Sequence, residues 1–121
     1  MKLNSYKELI VWQKAVELTI KVYKATENYP KTELYGLTSH TRKTAVSVPS
    51  NIAEGSTRQH LQEYIQHLNV ALASAAELET QLIIGHKLEF LNTKDFEQIS
   101  SLLTEVTKML NALIRKLKSN G

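Results

Sequence analysis

Long stretches in which apolar residues recur every three or four positions constrain this chain more than any other feature. The first such stretch predicts a helix over residues 8–27, with Leu9, Trp12 and Val16 on one side. The same spacing predicts helices over residues 33–54, over residues 61–90, and from residue 93 or 94 to residue 118. Short polar breaks separate these stretches. We therefore expect an all-α chain, with residues 1–121 forming a single domain, an antiparallel up-down four-helix bundle.

The predicted second helix contains a proline, Pro49. Proline lacks a backbone N–H and its ring clashes with the carbonyl four residues earlier, so we expect a kink near Pro49. Asn51, Glu54 and Gly55 follow it. Their simplest role is structural, with polar groups satisfying the backbone groups that the kink frees. A ligand site at these residues is the less favoured alternative.

The first helix carries more apolar surface than one contact requires. Val11, Ala15, Leu18 and Val22 form a second stripe beside the first. Together the stripes cover roughly 200° of arc, whereas a surface helix needs about 100°. We therefore expect this helix to bury a second face against another copy of the chain.

The sequence lacks the residues that several kinds of site or segment require. The chain has no cysteine, which excludes disulfides and thiolate metal sites and suits a reducing cytoplasm. No apolar run approaches the roughly 20 residues that span a bilayer, and residues 1–8 lack the apolar run of a signal peptide. The four histidines are dispersed, and no paired Glu-x-x-His di-iron pattern is present. We expect a cytoplasmic protein with no membrane segment, metal or cofactor.

A carboxylate among apolar residues offers the main catalytic alternative. Glu79 falls in line with Leu72, Ala75 and Leu82 on the third helix, so we expect it to be buried and paired. It would then serve as a general acid or base, or as a polar anchor that fixes helix register. We favour the anchor, because no nucleophile accompanies it. An enzyme that uses Glu79 or Glu54 is the alternative, and we expect no enzymatic activity.

Positive charge is placed unevenly on a chain whose formal net charge is +3. On the fourth helix, Lys108 and Arg115 lie almost opposite the apolar stripe, and Lys116 and Lys118 flank them. A second group contains Arg42, Lys43 and Arg58. The plain interpretation is a solvated helix face. In a symmetric oligomer, however, a modest patch is repeated and can bind a polyanion, so these seven residues are candidate contacts to RNA or DNA.

Residues 46–55, VSVPSNIAEG, closely resemble a family signature, SIPxNIAEG. It belongs to the four-helix bundle proteins encoded in intervening sequences of bacterial 23S ribosomal RNA genes. Three further stretches resemble the same family, LIVWQKA at residues 9–15, YGL at residues 35–37 and ELETQL at residues 77–82. The resemblance therefore covers nearly the whole chain.

The resemblance implies an antiparallel bundle without established enzymatic activity. The family is similar to the accessory proteins of diversity-generating retroelements, which form basic pentameric rings that associate with a reverse transcriptase and with nucleic acid. By resemblance, Pro49, Asn51, Glu54, Gly55 and Glu79 are structural residues. We expect a homo-oligomer, a pentamer by this resemblance, that associates with RNA or DNA. The alternative is an adaptor that docks a partner protein such as a reverse transcriptase.

Overall fold

The computed structural model describes residues 5–120, and four α-helices account for most of them. These are α1 (Ile10–Thr26), α2 (Ser39–Ser56), α3 (Leu61–Lys87) and α4 (Thr93–Asn120). A 3-10 turn, Tyr6–Glu8, precedes α1, and the irregular helical turns Lys31–Glu33 and Leu34–Thr38 lead into α2. No strand occurs in residues 5–120. The all-α prediction is confirmed.

The four helices pack in a closed cycle. Each helix contacts the next one along the chain, and α4 packs back against α1, so α1 and α3 lie diagonally across the bundle. Leu18, Ile52, Leu68, Leu78 and Leu110 are among the fully buried side chains between them. The four-helix bundle is therefore confirmed. Its up-down direction stays a prediction, which the short connections at residues 57–60 and 88–92 favour.

The second helix is irregular at its beginning. Gly36 has φ −116° and ψ −113°, which lie outside the helical region. From Ser39 to Ser56 the backbone stays helical through Pro49. The structure therefore places a break at Gly36 that the sequence did not predict, and the kink at Pro49 stays a prediction.

Side-chain bonds fix the connection between α3 and α4. The Asn92 Oδ1 atom accepts a hydrogen bond of 2.7 Å from the Asp95 backbone N–H, and Asn92 Nδ2 donates to the Asp95 carboxylate at 3.1 Å. This arrangement caps the first turn of α4. At the end of α3, Glu89 has φ 67°, and the Phe90 N–H donates to the Gly85 carbonyl at 2.9 Å. α3 thus ends in a Schellman motif whose left-handed residue is glutamate.

The predicted burial of Glu79 is wrong. Glu79 is exposed, whereas its neighbour Leu78 is fully buried. The buried line of α3 runs through Ala71, Ala75, Leu78 and Leu82, at spacings of four, three and four. Both lines fit a helical period, because Leu78 and Glu79 lie only 100° apart around the axis. Packing against α2 and α4 selects the line that carries leucine.

Candidate nucleic-acid interface and signature segment

The end of the signature segment packs closely against α3. A Cβ atom added at Gly55 would lie 2.7 Å from His67 Cβ and 3.0 Å from Tyr64 Cδ1. Real Cβ atoms do not approach other carbons so closely, so only glycine allows this contact between the two helices. Ile52, one turn earlier, is fully buried in the core. The structural interpretation of Gly55 thus has a direct geometric basis.

A histidine of α3 lies close to two polar residues of the signature, Asn51 and Glu54. His67 Nδ1 lies 3.0 Å from Asn51 Oδ1 and 3.9 Å from Glu54 Oε2. Asn51 Nδ2 donates to the Ser47 carbonyl at 2.8 Å, which fixes the amide orientation. Because Asn51 Oδ1 is an acceptor, His67 Nδ1 must carry the proton of this hydrogen bond. Asn51 therefore links α2 to α3.

The carbonyl that Pro49 leaves without a helical donor is satisfied from another helix. That carbonyl belongs to Ala45, four residues earlier. The Thr19 hydroxyl of α1 lies 3.1 Å from it and 2.8 Å from the carbonyl of Ala15 in its own helix. We predicted that Asn51, Glu54 and Gly55 would satisfy the freed group. The structure places the Thr19 hydroxyl there instead, with its single proton shared between the Ala45 carbonyl and the closer Ala15 carbonyl.

The two predicted groups of cations do not form one surface. The half-buried Arg42 side chain donates from Nε to Thr26 Oγ1 at 2.8 Å and from Nη2 to the Tyr23 carbonyl at 3.3 Å. Its guanidinium carbon also lies 4.8 Å from the centre of the Tyr23 ring. Arg42 is therefore engaged at the C-terminal end of α1, where its charge complements the helix dipole. Lys43 is exposed beside it.

The four cations in the last turns of α4 are exposed, and no acid occurs among them. Lys108, Arg115, Lys116 and Lys118 all face solvent, and no Asp or Glu occurs after Glu105. Glu105 itself pairs with Lys14 of α1 at 2.9 Å. This hydrogen bond raises the pKa of Lys14 above its ordinary value. The last three turns of α4 thus form a basic segment, which we call the α4 basic segment (residues 108–118).

One end of the bundle brings α4 and the end of α2 together around an open groove. The groove is lined by residues that precede α1, by the end of α2 and the residue after it, and by side chains of α3 and α4. These residues are Ser5, Tyr6, Leu9, Ser56, Thr57, Tyr64, Leu113, Lys116 and Leu117. Arg58 follows Thr57 directly and is exposed. Arg58 and Lys116 therefore lie near one end of the bundle, whereas Arg42 and Lys43 lie near the other. We call this feature the end groove.

Two of the predicted residues border a different surface. Glu79 and Lys108 both line a shallow depression between α3 and α4.

Within residues 5–120, no three His, Asp or Glu side chains are grouped so that they could hold a metal ion. None of the helices in that part of the chain combines the length and apolarity that crossing a membrane requires.

Sequence reasoning missed four contributors. Thr19 could have been sought, because a proline inside a helix leaves a carbonyl that needs a donor. His67 gave only the signal of a histidine four residues after Glu63, which we considered for metal binding alone. Tyr6 and Tyr64 are half-buried, and burial raises the pKa of Tyr64. Nothing in their local sequence indicates that they share a groove.

Comparisons with known proteins agree on family and fold. A family model described as 23S rRNA-intervening sequence protein matches residues 7–112. A crystal structure at 1.70 Å of a protein of unknown function, from the S23 ribosomal protein family of Bacteroides thetaiotaomicron VPI-5482, is similar with a TM-score of 0.81. The two chains are 23% identical, over 88% of this chain and 96% of that chain, which shows the fold alone. No curated protein matches the chain.

Proposed function

This chain belongs to the 23S rRNA-intervening sequence protein family, and on that premise we propose that it is a non-enzymatic, cytoplasmic homo-oligomer that associates with RNA or DNA. The family resemblance predicted from residues 46–55 is confirmed. Nucleic-acid binding is carried by one observation, the exposed α4 basic segment. It presents Lys108, Arg115, Lys116 and Lys118 without an intervening acid. Such a surface attracts phosphates without reading bases.

Exposed apolar side chains on two helices, which we call the α1 face (Ile10 and Ile20) and the α3 face (Val70 and Ile84), support self-association. Ile10 and Ile20 of α1 are 53% and 51% exposed, and Val70 and Ile84 of α3 are 45% and 43% exposed. Because α1 and α3 lie diagonally across the bundle, the two faces point in different directions. A contact between the α1 face of one copy and the α3 face of the next is heterologous, and repeated heterologous contacts form rings or filaments. The family resemblance favours a pentameric ring.

A ring would also strengthen nucleic-acid binding. Each copy contributes only a few exposed cations, so one subunit should bind weakly. Repetition of the α4 basic segment around a ring provides several linked contacts, which raises the overall affinity without any new contact within a copy.

The same apolar faces support a second candidate function. An adaptor that docks a reverse transcriptase or another protein would also need an exposed apolar surface. A pull-down from the native host distinguishes the two functions. Recovery of a stoichiometric protein would favour the adaptor, and recovery of nucleic acid alone would count against it.

We predict that removing charge from α4 weakens nucleic-acid binding and makes it less sensitive to salt. For a structured RNA, log affinity decreases linearly with log salt concentration. In the variant Lys108→Gln/Arg115→Gln/Lys118→Gln, the magnitude of this slope should decrease by about three, because each phosphate-contacting cation contributes about one. The matched control, Lys24→Gln/Lys31→Gln/Lys87→Gln, removes three exposed charges elsewhere. It should change the slope much less.

Fluorescence anisotropy over a series of salt concentrations measures both slopes. Equal effects of the two variants would show that net charge alone matters and would contradict the assignment to α4. A wild-type protein that retains neither RNA nor DNA at low salt would refute the proposed function.

A further inference from the structure

We infer that the end groove accepts an unpaired nucleotide of the bound RNA or DNA, so that the protein prefers a nucleic acid with a single-stranded segment. This inference rests on the proposed function, because it names the part of the nucleic acid that the groove would hold. The groove shares Lys116 with the α4 basic segment, but its aromatic residues, Tyr6 and Tyr64, lie outside that segment.

The lining of the groove suits a flat, partly apolar group. Tyr6 and Tyr64 supply aromatic rings, and Leu9, Leu113 and Leu117 supply aliphatic surface. The Tyr6 ring is held against Trp12, with 5.3 Å between the ring centroids in an edge-on arrangement. An aromatic ring held in place is the usual surface on which proteins stack unpaired bases.

Polar groups border this apolar lining on one side. The Ser56 and Thr57 hydroxyls donate to the carbonyls of Ala53 and Glu54 at 2.9 Å. Each hydroxyl donates its proton to a carbonyl of α2, so each oxygen keeps a lone pair that can accept a hydrogen bond. The exocyclic amino groups of bases are donors of the matching kind.

Cations lie in the lining of the groove and directly after two of its lining residues. Lys116 lines the groove, and the exposed residues Lys7 and Arg58 directly follow the lining residues Tyr6 and Thr57. An apolar centre with a cationic rim matches a base and its phosphates, because the base is aromatic and the backbone is anionic.

The shape of the groove favours a nucleotide over a partner helix. A docked helix needs anchors over at least two turns, at positions i, i+3, i+4 and i+7. The α4 contribution extends only from Leu113 to Leu117, about 6 Å along the axis, and α3 contributes Tyr64 alone. The volume of 530 Å³ lies within the roughly 300–1,000 Å³ that is typical of small-ligand pockets.

Two labelled RNA hairpins test the inference. They share one stem, and one of them carries a 3′ extension of six unpaired adenosines. Anisotropy titration at one fixed salt concentration gives the affinity for each hairpin. A third RNA, whose equally long extension is paired to a complementary strand, corrects for the phosphates that the extension adds. The wild-type protein should prefer the unpaired extension by at least about fivefold, because stacking contributes about 1–3 kcal/mol per base.

Variants connect the preference to the groove. Tyr6→Leu keeps an apolar side chain and should remove the preference while leaving blunt-hairpin binding unchanged. The matched control Tyr35→Leu changes a tyrosine that is 89% exposed, outside the groove lining, and should keep the preference. If Tyr6→Leu fails to fold, Thr57→Trp fills the groove from an exposed position and should have the same effect.

The outcomes separate the inference from the proposed function. Equal wild-type affinity for unpaired and paired extensions would overturn the inference and leave the proposed function standing. A preference that persists in both Tyr6→Leu and Thr57→Trp would place the unpaired strand elsewhere and would also overturn it. If the wild-type protein binds neither these RNAs nor the DNAs of the same design at low salt, both proposals fail.

Discussion

At the scale of single residues, Gly55 controls how closely α2 and α3 approach. Its missing side chain leaves room for His67 and Tyr64, whose atoms would lie within 2.7–3.0 Å of an added Cβ. The hydrogen bond between Asn51 and His67 crosses the same interface. Close approach and a polar link therefore occur together, and both depend on the signature segment.

We predict that Gly55→Ala lowers the free energy of unfolding by about 1–3 kcal/mol, because overpacking a tight contact displaces its neighbours. In an ordinary helix position, glycine to alanine would raise stability by about 1 kcal/mol, so the sign itself is informative. Urea denaturation measures the change. Ser50→Ala, on the exposed side of α2, should change stability by less than about 0.5 kcal/mol. A Gly55→Ala protein as stable as the wild type would show that the helices separate at little cost.

At the scale of helices, Pro49 makes α2 dependent on α1. The Ala45 carbonyl has no backbone donor at position 49, and the Thr19 hydroxyl of α1 lies 3.1 Å from it. A backbone bond within one helix is thus replaced by a longer bond from another helix, whose proton is shared with the Ala15 carbonyl. Pro49 therefore links α2 specifically to the helix that carries Thr19.

We predict that Thr19→Val lowers the free energy of unfolding by about 1–3 kcal/mol, because a buried carbonyl loses its donor. In a Pro49→Ala background the backbone N–H returns, so the same change should cost less than about 1 kcal/mol. A double-mutant cycle by urea denaturation measures this coupling. Thr19→Ser keeps the hydroxyl and serves as the control. Additive costs in the cycle would contradict the assignment.

The end of α3 offers a second test at this scale. Glu89 adopts φ 67°, where a side chain costs about 1–2 kcal/mol and glycine fits without strain. We predict that Glu89→Gly raises the free energy of unfolding by about 1 kcal/mol. The same substitution at the exposed Glu77, inside α3, should lower it by about 1 kcal/mol. Thermal or urea unfolding of both variants checks the opposite signs, and a loss of stability in both would contradict this account of the cap.

At the scale of the whole molecule, the proposed homo-oligomer depends on the exposed faces of α1 and α3. The two faces belong to helices that do not pack on each other. One face of one copy can therefore contact the other face of the next copy, which leaves both faces of the middle copies covered. In the proposed assembly, the position of the two helices in the cycle would make the contact heterologous.

We predict that Ile20→Glu and Ile84→Glu each prevent assembly, because each places a charge in an apolar contact. Light scattering should report monomers for each variant alone. Mixed in equal amounts, the variants should form dimers, since each keeps the face that the other has lost. Val46→Glu changes an exposed apolar residue of α2 and should leave the oligomer intact. An unchanged mass for both single variants would refute this interface.

The sequence alone determined the number of helices, their approximate bounds and the family, because helical periodicity and a ten-residue signature are local properties of the chain. Periodicity also placed Lys108 and Arg115 away from the apolar stripe of α4, and both are exposed. It could not choose between Leu78 and Glu79 as the buried residue. Neighbouring positions differ by only 100°, and the packing of other helices decides which arc is covered.

The tertiary structure decided every relation between residues distant in sequence. It paired Thr19 with the carbonyl of Ala45, engaged Arg42 at the end of α1, and gathered Tyr6, Thr57 and Lys116 around one groove. Such contacts follow from how whole helices pack, and no local pattern encodes them. A side chain's direction from its own helix axis is a local property, whereas the group that it meets depends on the positions of all four helices.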